Sequence, residues 1–252
     1  MNRRVRKLED ILKGHNSKIN TVTFDKSGKY LISGDDEGKI IVWDISSGKV
    51  LRSINNGTTV NNIIMSQQPV NYIVAGAEPT IKICSLKDGK LFKSFVGHKD
   101  HVNSIAMTFN GKYLISGSND KSAKIWDMNT QKEIRTLQVD CWKVTAVAFS
   151  FDGKYCATGC NNGSIKIWET ESGKLITEIA EQPYNVRDIS FSPNGRYLAI
   201  APLMRGNNEF GVRIFETKIP LPQPKAISNP VIADSVQNKK KQQMPKNGKV
   251  GK

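Results

Sequence analysis

Three histidines (His15, His98, His101), four cysteines (Cys84, Cys141, Cys156, Cys160) and an acidic run, Asp35-Asp36-Glu37, are the residues of this sequence best equipped for proton transfer, nucleophilic attack or metal binding. Nucleophilic catalysis needs a Ser or Cys within reach of a base that a third group orients. No Ser/Cys–His–acid set and no carboxylate pair stands out from the turns. Cys156 and Cys160 have neither a second cysteine pair nor a histidine at ligand spacing, so zinc is not expected. The acidic run sits where a turn wants Asp, which explains it better than acid–base work. Gly28-Lys29, Gly111-Lys112 and Gly153-Lys154 invite comparison with a phosphate loop, but none is followed by Ser or Thr. The chain is therefore expected to be no enzyme, with no cofactor, no metal and no small-molecule substrate.

The same Gly-Lys pairs reveal the organisation. Tyr30, Tyr72, Tyr113, Tyr155 and Tyr197 recur at intervals of 42, 41, 42 and 42 residues. Four of them close one phrase: Gly28-Lys29-Tyr30, Gly111-Lys112-Tyr113, Gly153-Lys154-Tyr155 and Gly195-Arg196-Tyr197. Trp43, Trp126 and Trp168 keep the same beat, with Cys84 and Phe215 at the corresponding places. A fixed period of this length marks a repeat architecture. Each unit divides into short β-rich runs bounded by turn residues; in the first they are Ile19–Phe24, Tyr30–Gly34, Ile40–Ile45 and Lys49–Ile54. No segment keeps a 3.6-residue apolar period. The chain is expected to be all-β and blade-like.

Gly14-His15 with Val42-Trp43-Asp44, Gly97-His98 with Ile125-Trp126-Asp127, and Ile167-Trp168-Glu169 resemble the WD-repeat β-propeller family, over residues 8–217. The resemblance implies a buried tetrad of His, Ser/Thr, Asp and Trp in a blade, structural rather than catalytic. His98, Ser116, Asp120 and Trp126 match it in full. The first unit has His15, Ser33 and Trp43 but Glu37 where Asp is expected. The fourth has Thr158 and Trp168, with Asn162 for the Asp and Asp140 for the His. The second and fifth lack it. The family's N-terminal outer strand, here Leu8–Leu12, would complete the last blade, giving five four-stranded blades. Those five would form a closed ring or an open arc, or mark a truncated product, and the arc is preferred. Residues 202–211 lengthen the last blade as a tolerated insertion or as a finger tipped by Met204 and Phe210.

The resemblance also implies that partners dock where the blades' first strands begin. Alignment on Ile19, Val60, Val102, Val144 and Val186 gives two rings there. One is Lys18, Thr59, His101, Lys143 and Asn185; the next is Asn20, Asn61, Asn103, Thr145 and Arg187. Trp142 lies outside the repeat register and is the first single-residue candidate for a contact. Its alternative is packing in place of the missing histidine. Lys18, Lys143 and Arg187 favour a partner segment with acidic residues.

Charge supplies the rest. The net charge is +14, but residues 218–252 contribute +7 and residues 1–13 contribute +3, so the body is only mildly basic. The division expected is a basic extension (1–7), a propeller (8–217) and a Pro/Lys-rich disordered tail (218–252). No apolar run spans a bilayer, no secretory signal precedes Leu8-Glu9-Asp10, and four cysteines suit a reduced intracellular compartment, cytoplasm or nucleus. The expected function is a scaffold or adaptor in a multiprotein complex, without membrane contact. The alternative is a structural subunit of a nucleic-acid-containing assembly, tethered by the tail lysines.

Overall fold

The Gly-Lys/Arg-Tyr phrase builds the same hairpin turn each time. Gly28, Gly111, Gly153 and Gly195 have φ of 70–74°, the left-handed region in which a side chain is strained. The residue three places earlier closes the turn by accepting the tyrosine N–H: Asp25 Oδ1 from Tyr30 (2.7 Å), Thr108 Oγ1 from Tyr113 (3.0 Å), Ser150 Oγ from Tyr155 (3.0 Å) and Ser192 Oγ from Tyr197 (2.9 Å).

The computed structural model describes residues 11–66, 72–76, 79–179, 185–203 and 211–220. The chain divides into two units, Met1–Leu221 and Pro222–Lys252, and every described residue lies in the first. Among them there is no helix, so the all-β expectation holds. Blade 1 is β1 (Ile19–Phe24), β2 (Tyr30–Asp35), β3 (Lys39–Asp44) and β4 (Lys49–Asn55); blade 2 is β5 (Asn62–Met65), β6 (Tyr72–Gly76), β7 (Thr80–Ser85) and β8 (Leu91–Val96). Blade 3 is β9 (Val102–Met107), β10 (Tyr113–Ser118), β11 (Ser122–Asp127) and β12 (Lys132–Gln138). Blade 4 is β13 (Val144–Phe149), β14 (Tyr155–Cys160), β15 (Ile165–Glu169) and β16 (Leu175–Ile179). Blade 5 has three described strands, β17 (Asn185–Phe191), β18 (Tyr197–Leu203) and β19 (Arg213–Glu216). Each sheet is an antiparallel meander in chain order. The fourth strand expected for blade 5 falls largely outside the described residues, and Ile11 and Leu12 are not in a strand. Met204 and Phe210 also lie outside them.

Blades pack face to face in chain order, β1 on β5, β5 on β9, β9 on β13 and β13 on β17. Val60, Val102, Val144 and Val186, which open the following blades, are fully buried. Val60, Val144 and Val186 press on the preceding blade at a residue without a side chain: a Cβ at Gly34 would lie 2.5 Å from Val60 Cγ1, one at Gly117 2.6 Å from Val144 Cγ1, and one at Gly159 2.5 Å from Val186 Cγ1.

The two end faces differ. Ile19, Val22 and Phe24 occupy the register of Val102, Ile105 and Met107, yet Val22 is 61% exposed where Ile105 is buried. At the other end Ile214 is 68% exposed, while its counterpart Ile125 is fully buried. β1 and β17 do not pack together as neighbouring inner strands do. The described blades thus form an open arc. Ile19, unlike the buried valines it aligns with, is exposed because no described blade precedes its own.

Blade 4 departs from the expectation of reduced thiols. Cys141, just ahead of β13, and Cys160, at the end of β14, form a disulfide with Cα atoms 6.2 Å apart. Antiparallel pairing of β13 with β14, which sets Val144 opposite Cys160, brings them together. Cys84 and Cys156 are free and buried, and burial raises both thiol pKa values. An Ellman titration of the denatured, unreduced protein is expected to count the two free thiols and, after reduction, all four; four before reduction would show the bridge to be open.

Candidate protein-binding face

The tetrads hold the loops that form the face. In blade 3, Trp126 Nε1 donates to Ser116 Oγ (2.9 Å), and Ser116 stands 2.7 Å from His98 Nε2. His98 Nδ1 lies 2.8 Å from Asp120 Oδ2. One proton arrangement satisfies every group: Ser116 donates to Nε2, and Nδ1–H donates to the carboxylate. That arrangement uses neutral imidazole, and burial indeed lowers the His98 pKa against the opposing pull of Asp120. Burial raises the Asp120 carboxyl, but hydrogen bonds from Ser122, the Lys99 N–H and His98 outweigh it and keep it ionised below the usual range.

Blade 1 repeats this with a different acid. Trp43 Nε1 donates to Ser33 Oγ (2.8 Å), Ser33 meets His15 Nε2 (2.6 Å), and His15 Nδ1 meets Asp35 Oδ2 (2.6 Å). Asp35, not the Glu37 that spacing selects, completes the set, since it ends β2 and points back under the turn. In blade 4 the set shrinks to Trp168 Nε1 donating to Thr158 Oγ1 (3.0 Å); Asp140 pairs instead with Lys166 (2.7 Å). The structure therefore assembles two Ser–His–Asp chains, the one expected in blade 3 and one in blade 1 that takes Asp35 in place of Glu37. Ser116 is fully buried and Ser33 nearly so, and each Oγ is held by an indole, so neither faces a substrate.

The loops so fixed bring the whole second ring, with Lys143 and Asn185 of the first, to one mouth of the arc. Asn20, Asn61, Asn103, Lys143, Thr145, Asn185 and Arg187 line a cavity of about 470 Å³ there. Lys18, Thr59, His101 and Trp142 are not among its lining residues. Thr59 donates to Asp36 O (2.8 Å), and the carbonyls of Lys18, His101 and Lys143 accept N–H groups from Asp36, Asn119 and Asn161. The second ring turns out to link the blades. Asn20 Nδ2 donates to Val60 O (3.3 Å), Asn61 Nδ2 to Val102 O (2.8 Å), Asn103 Nδ2 to Val144 O (2.9 Å), and Thr145 Oγ1 to Val186 O. Arg187, the fifth member, has no described blade ahead of it and is exposed. Trp142 is 80% exposed, so it does not pack in place of a histidine.

Sequence reasoning missed a second cluster at the opposite mouth. Phe109 and Phe151 recur at one register in the turns after β9 and β13, and are 65% and 58% exposed with ring centroids 4.9 Å apart. A bulky apolar residue inside a turn was the available signal.

Comparison with known proteins agrees with the repeat. The family described as "WD domain, G-beta repeat" matches residues 6–44, 89–127 and 131–169. The chain is 27% identical over 127 residues to WD repeat-containing protein 82 of Drosophila melanogaster, covering 49% of this chain and 40% of that protein. It is 32% identical over 120 residues to TBC1 domain family member 31 of Oryzias latipes, 47% of this chain and 11% of that protein. Over 131 residues it is 27% identical to small ribosomal subunit protein RACK1y of Oryza sativa subsp. japonica, 49% of this chain and 38% of that protein. The matched stretch thus spans less than half the length of these curated relatives.

Proposed function

We propose that this chain, a member of the WD-repeat family, is a non-catalytic scaffold that docks a protein or peptide segment with acidic residues at the mouth lined by Lys143 and Arg187, within a multiprotein complex. Proteins of the family generally act as protein-interaction scaffolds. One observation carries the reading: Trp142 stands 80% exposed next to Lys143, on a loop held by the Asn161 side chain (3.1 Å to Lys143 N). An exposed indole on a fixed loop loses little freedom on binding, which is why tryptophan so often dominates an interface. Lys18, Lys143 and Arg187 would steer an acidic partner and set its register. Four of the ring's polar side chains join blades, so the contacts fall to Trp142, Lys143 and Arg187. Alanine at all three is expected to abolish recovery of the partners that the wild type retains, with the β-sheet circular dichroism unchanged. Partners that survive the triple change place docking elsewhere.

A second reading rests on the eight lysines of residues 218–252: attachment to RNA or DNA phosphates, in cytoplasm or nucleus. Deleting 218–252 would then remove nucleic-acid affinity together with its steep salt dependence and leave protein docking intact.

A further inference from the structure

The polar ring lies where the inner strands begin, and a different chemistry gathers where they end. Phe24 ends β1, Met65 ends β5 and Met107 ends β9; with Phe109 and Phe151 they line a cavity of about 370 Å³. Three of these five residues are exposed phenylalanines in a patch of adjoining apolar side chains. A patch of that kind costs solvation unless something covers it, and commonly marks an interface. Through Thr108 the cavity adjoins a second groove of about 770 Å³, which Lys112, Lys154 and Glu171 help to line.

The repeated turns also decide the charge of this mouth. The residue before four of the five register tyrosines is basic (Lys29, Lys112, Lys154 and Arg196), and Lys26 adds a fifth cation. The acids close by are already engaged. Glu171 accepts from Tyr113 Oη (2.8 Å) and pairs with Lys112 (3.3 Å); Asp152 accepts from Ser150 Oγ (2.7 Å) and the Lys154 N–H (3.1 Å); Asp25 is buried and accepts from Ser27 and Tyr30. An apolar centre with a basic surround results. The chain's own tail, with its +7 charge, would be repelled by that surround, and a second copy would set the same cations against each other.

We propose that the phenylalanine-lined mouth is a second docking site, distinct from the Trp142 mouth, for an acidic peptide segment that inserts bulky apolar side chains between Phe24, Phe109 and Phe151 while its carboxylates meet Lys26, Lys29 and Lys154.

The test uses the full chain and a short fluorescein-labelled peptide of Asp and Glu carrying two phenylalanines, read by fluorescence anisotropy. Binding is expected to weaken as salt rises and to weaken about tenfold or more in the double variant F109S/F151S. K26E/K154E is expected to weaken binding and flatten its salt dependence. Alanine at Trp142, Lys143 and Arg187 should leave it unchanged, which separates this site from the one proposed above. Circular dichroism and the unfolding midpoint check that each variant is folded. Independently of any variant, the same peptide carrying a benzoylphenylalanine should crosslink wild-type protein within 107–112 or 149–154. Equal binding of a phenylalanine-free acidic peptide, unchanged affinity in folded F109S/F151S, or crosslinks confined to 141–145 would each overturn the proposal. So would a doubled solution mass that F109S/F151S returns to the monomer, since a second copy would then occupy the mouth.

Discussion

His98→Ala is expected to destabilise the protein by about 3 kcal/mol in urea unfolding, the cost of stranding buried partners rather than of losing one contact. Removing the ring leaves the Asp120 carboxylate, 8% exposed, without its imidazole donor, and leaves the Ser116 hydroxyl only the distant Lys124 carbonyl (3.5 Å) as an acceptor. The Trp126 ring also loses its edge contact, 6.1 Å between centroids. Asn or Gln at position 98 restores some of the polar partnership and should recover part of the loss. The tetrad also predicts a pH dependence with a definite sign. Burial depresses the folded-state pKa of His98, so the unfolded chain takes up this proton first as pH falls. The contribution is therefore complete above about pH 6.5, the ordinary histidine value, and shrinks as pH falls from there towards the lower folded value. His98→Gln should flatten that part of the stability profile. An equally steep profile in the variant would mean that the His98 pKa does not differ between the folded and unfolded chain.

Gly117→Val is expected to cost a similar amount, about 3 kcal/mol, by the opposite route of overpacking. The new Cβ would lie 2.6 Å from Val144 Cγ1 and 3.0 Å from Val147 Cγ1, both on a buried strand of the next blade. Neither valine can turn aside without opening the junction between blades 3 and 4. Gly211→Ala is the control: nothing lies within 4 Å of that Cβ, and the change is expected to stay within about 0.5 kcal/mol. The protein contains a control of its own. Ala201 holds in β18 the place that Gly159 holds in β14, and it carries a methyl group where no described blade presses on it. A Gly117→Val midpoint equal to the wild type would show that this junction is loosely packed.

The blades were readable in the sequence because one turn recurs, with a glycine at positive φ and a tyrosine after it, and each turn fixes the strands on either side. The tetrad residues were readable for the same reason, except the acid of blade 1. Asp35 and Glu37 stand two apart, and only the path of the chain out of β2 decides which carboxyl reaches His15. The second ring lines one mouth in full and the first only at Lys143 and Asn185, and polarity alone does not distinguish an asparagine awaiting a partner from one bonded to the next blade's carbonyl. Val22 and Ile105 look alike in sequence; burial belongs to the neighbouring blade, which local pattern does not contain. The cysteine pair escaped notice because Cys141 and Cys160 meet only once strand register is known.

The blade-to-blade hydrogen bonds of Asn20, Asn61, Asn103 and Thr145 all run one way. In each, a side chain on the earlier blade donates to the backbone of the later one, and the glycine–valine contact has the same sense. Every junction is therefore complete within two consecutive units and asks nothing of the units beyond. A lineage that duplicated or deleted one whole unit at the trailing end would leave the other junctions as they were. Loss of half a unit would instead part a donor from its carbonyl. Viable length variants of this protein should accordingly differ by whole multiples of about 42 residues.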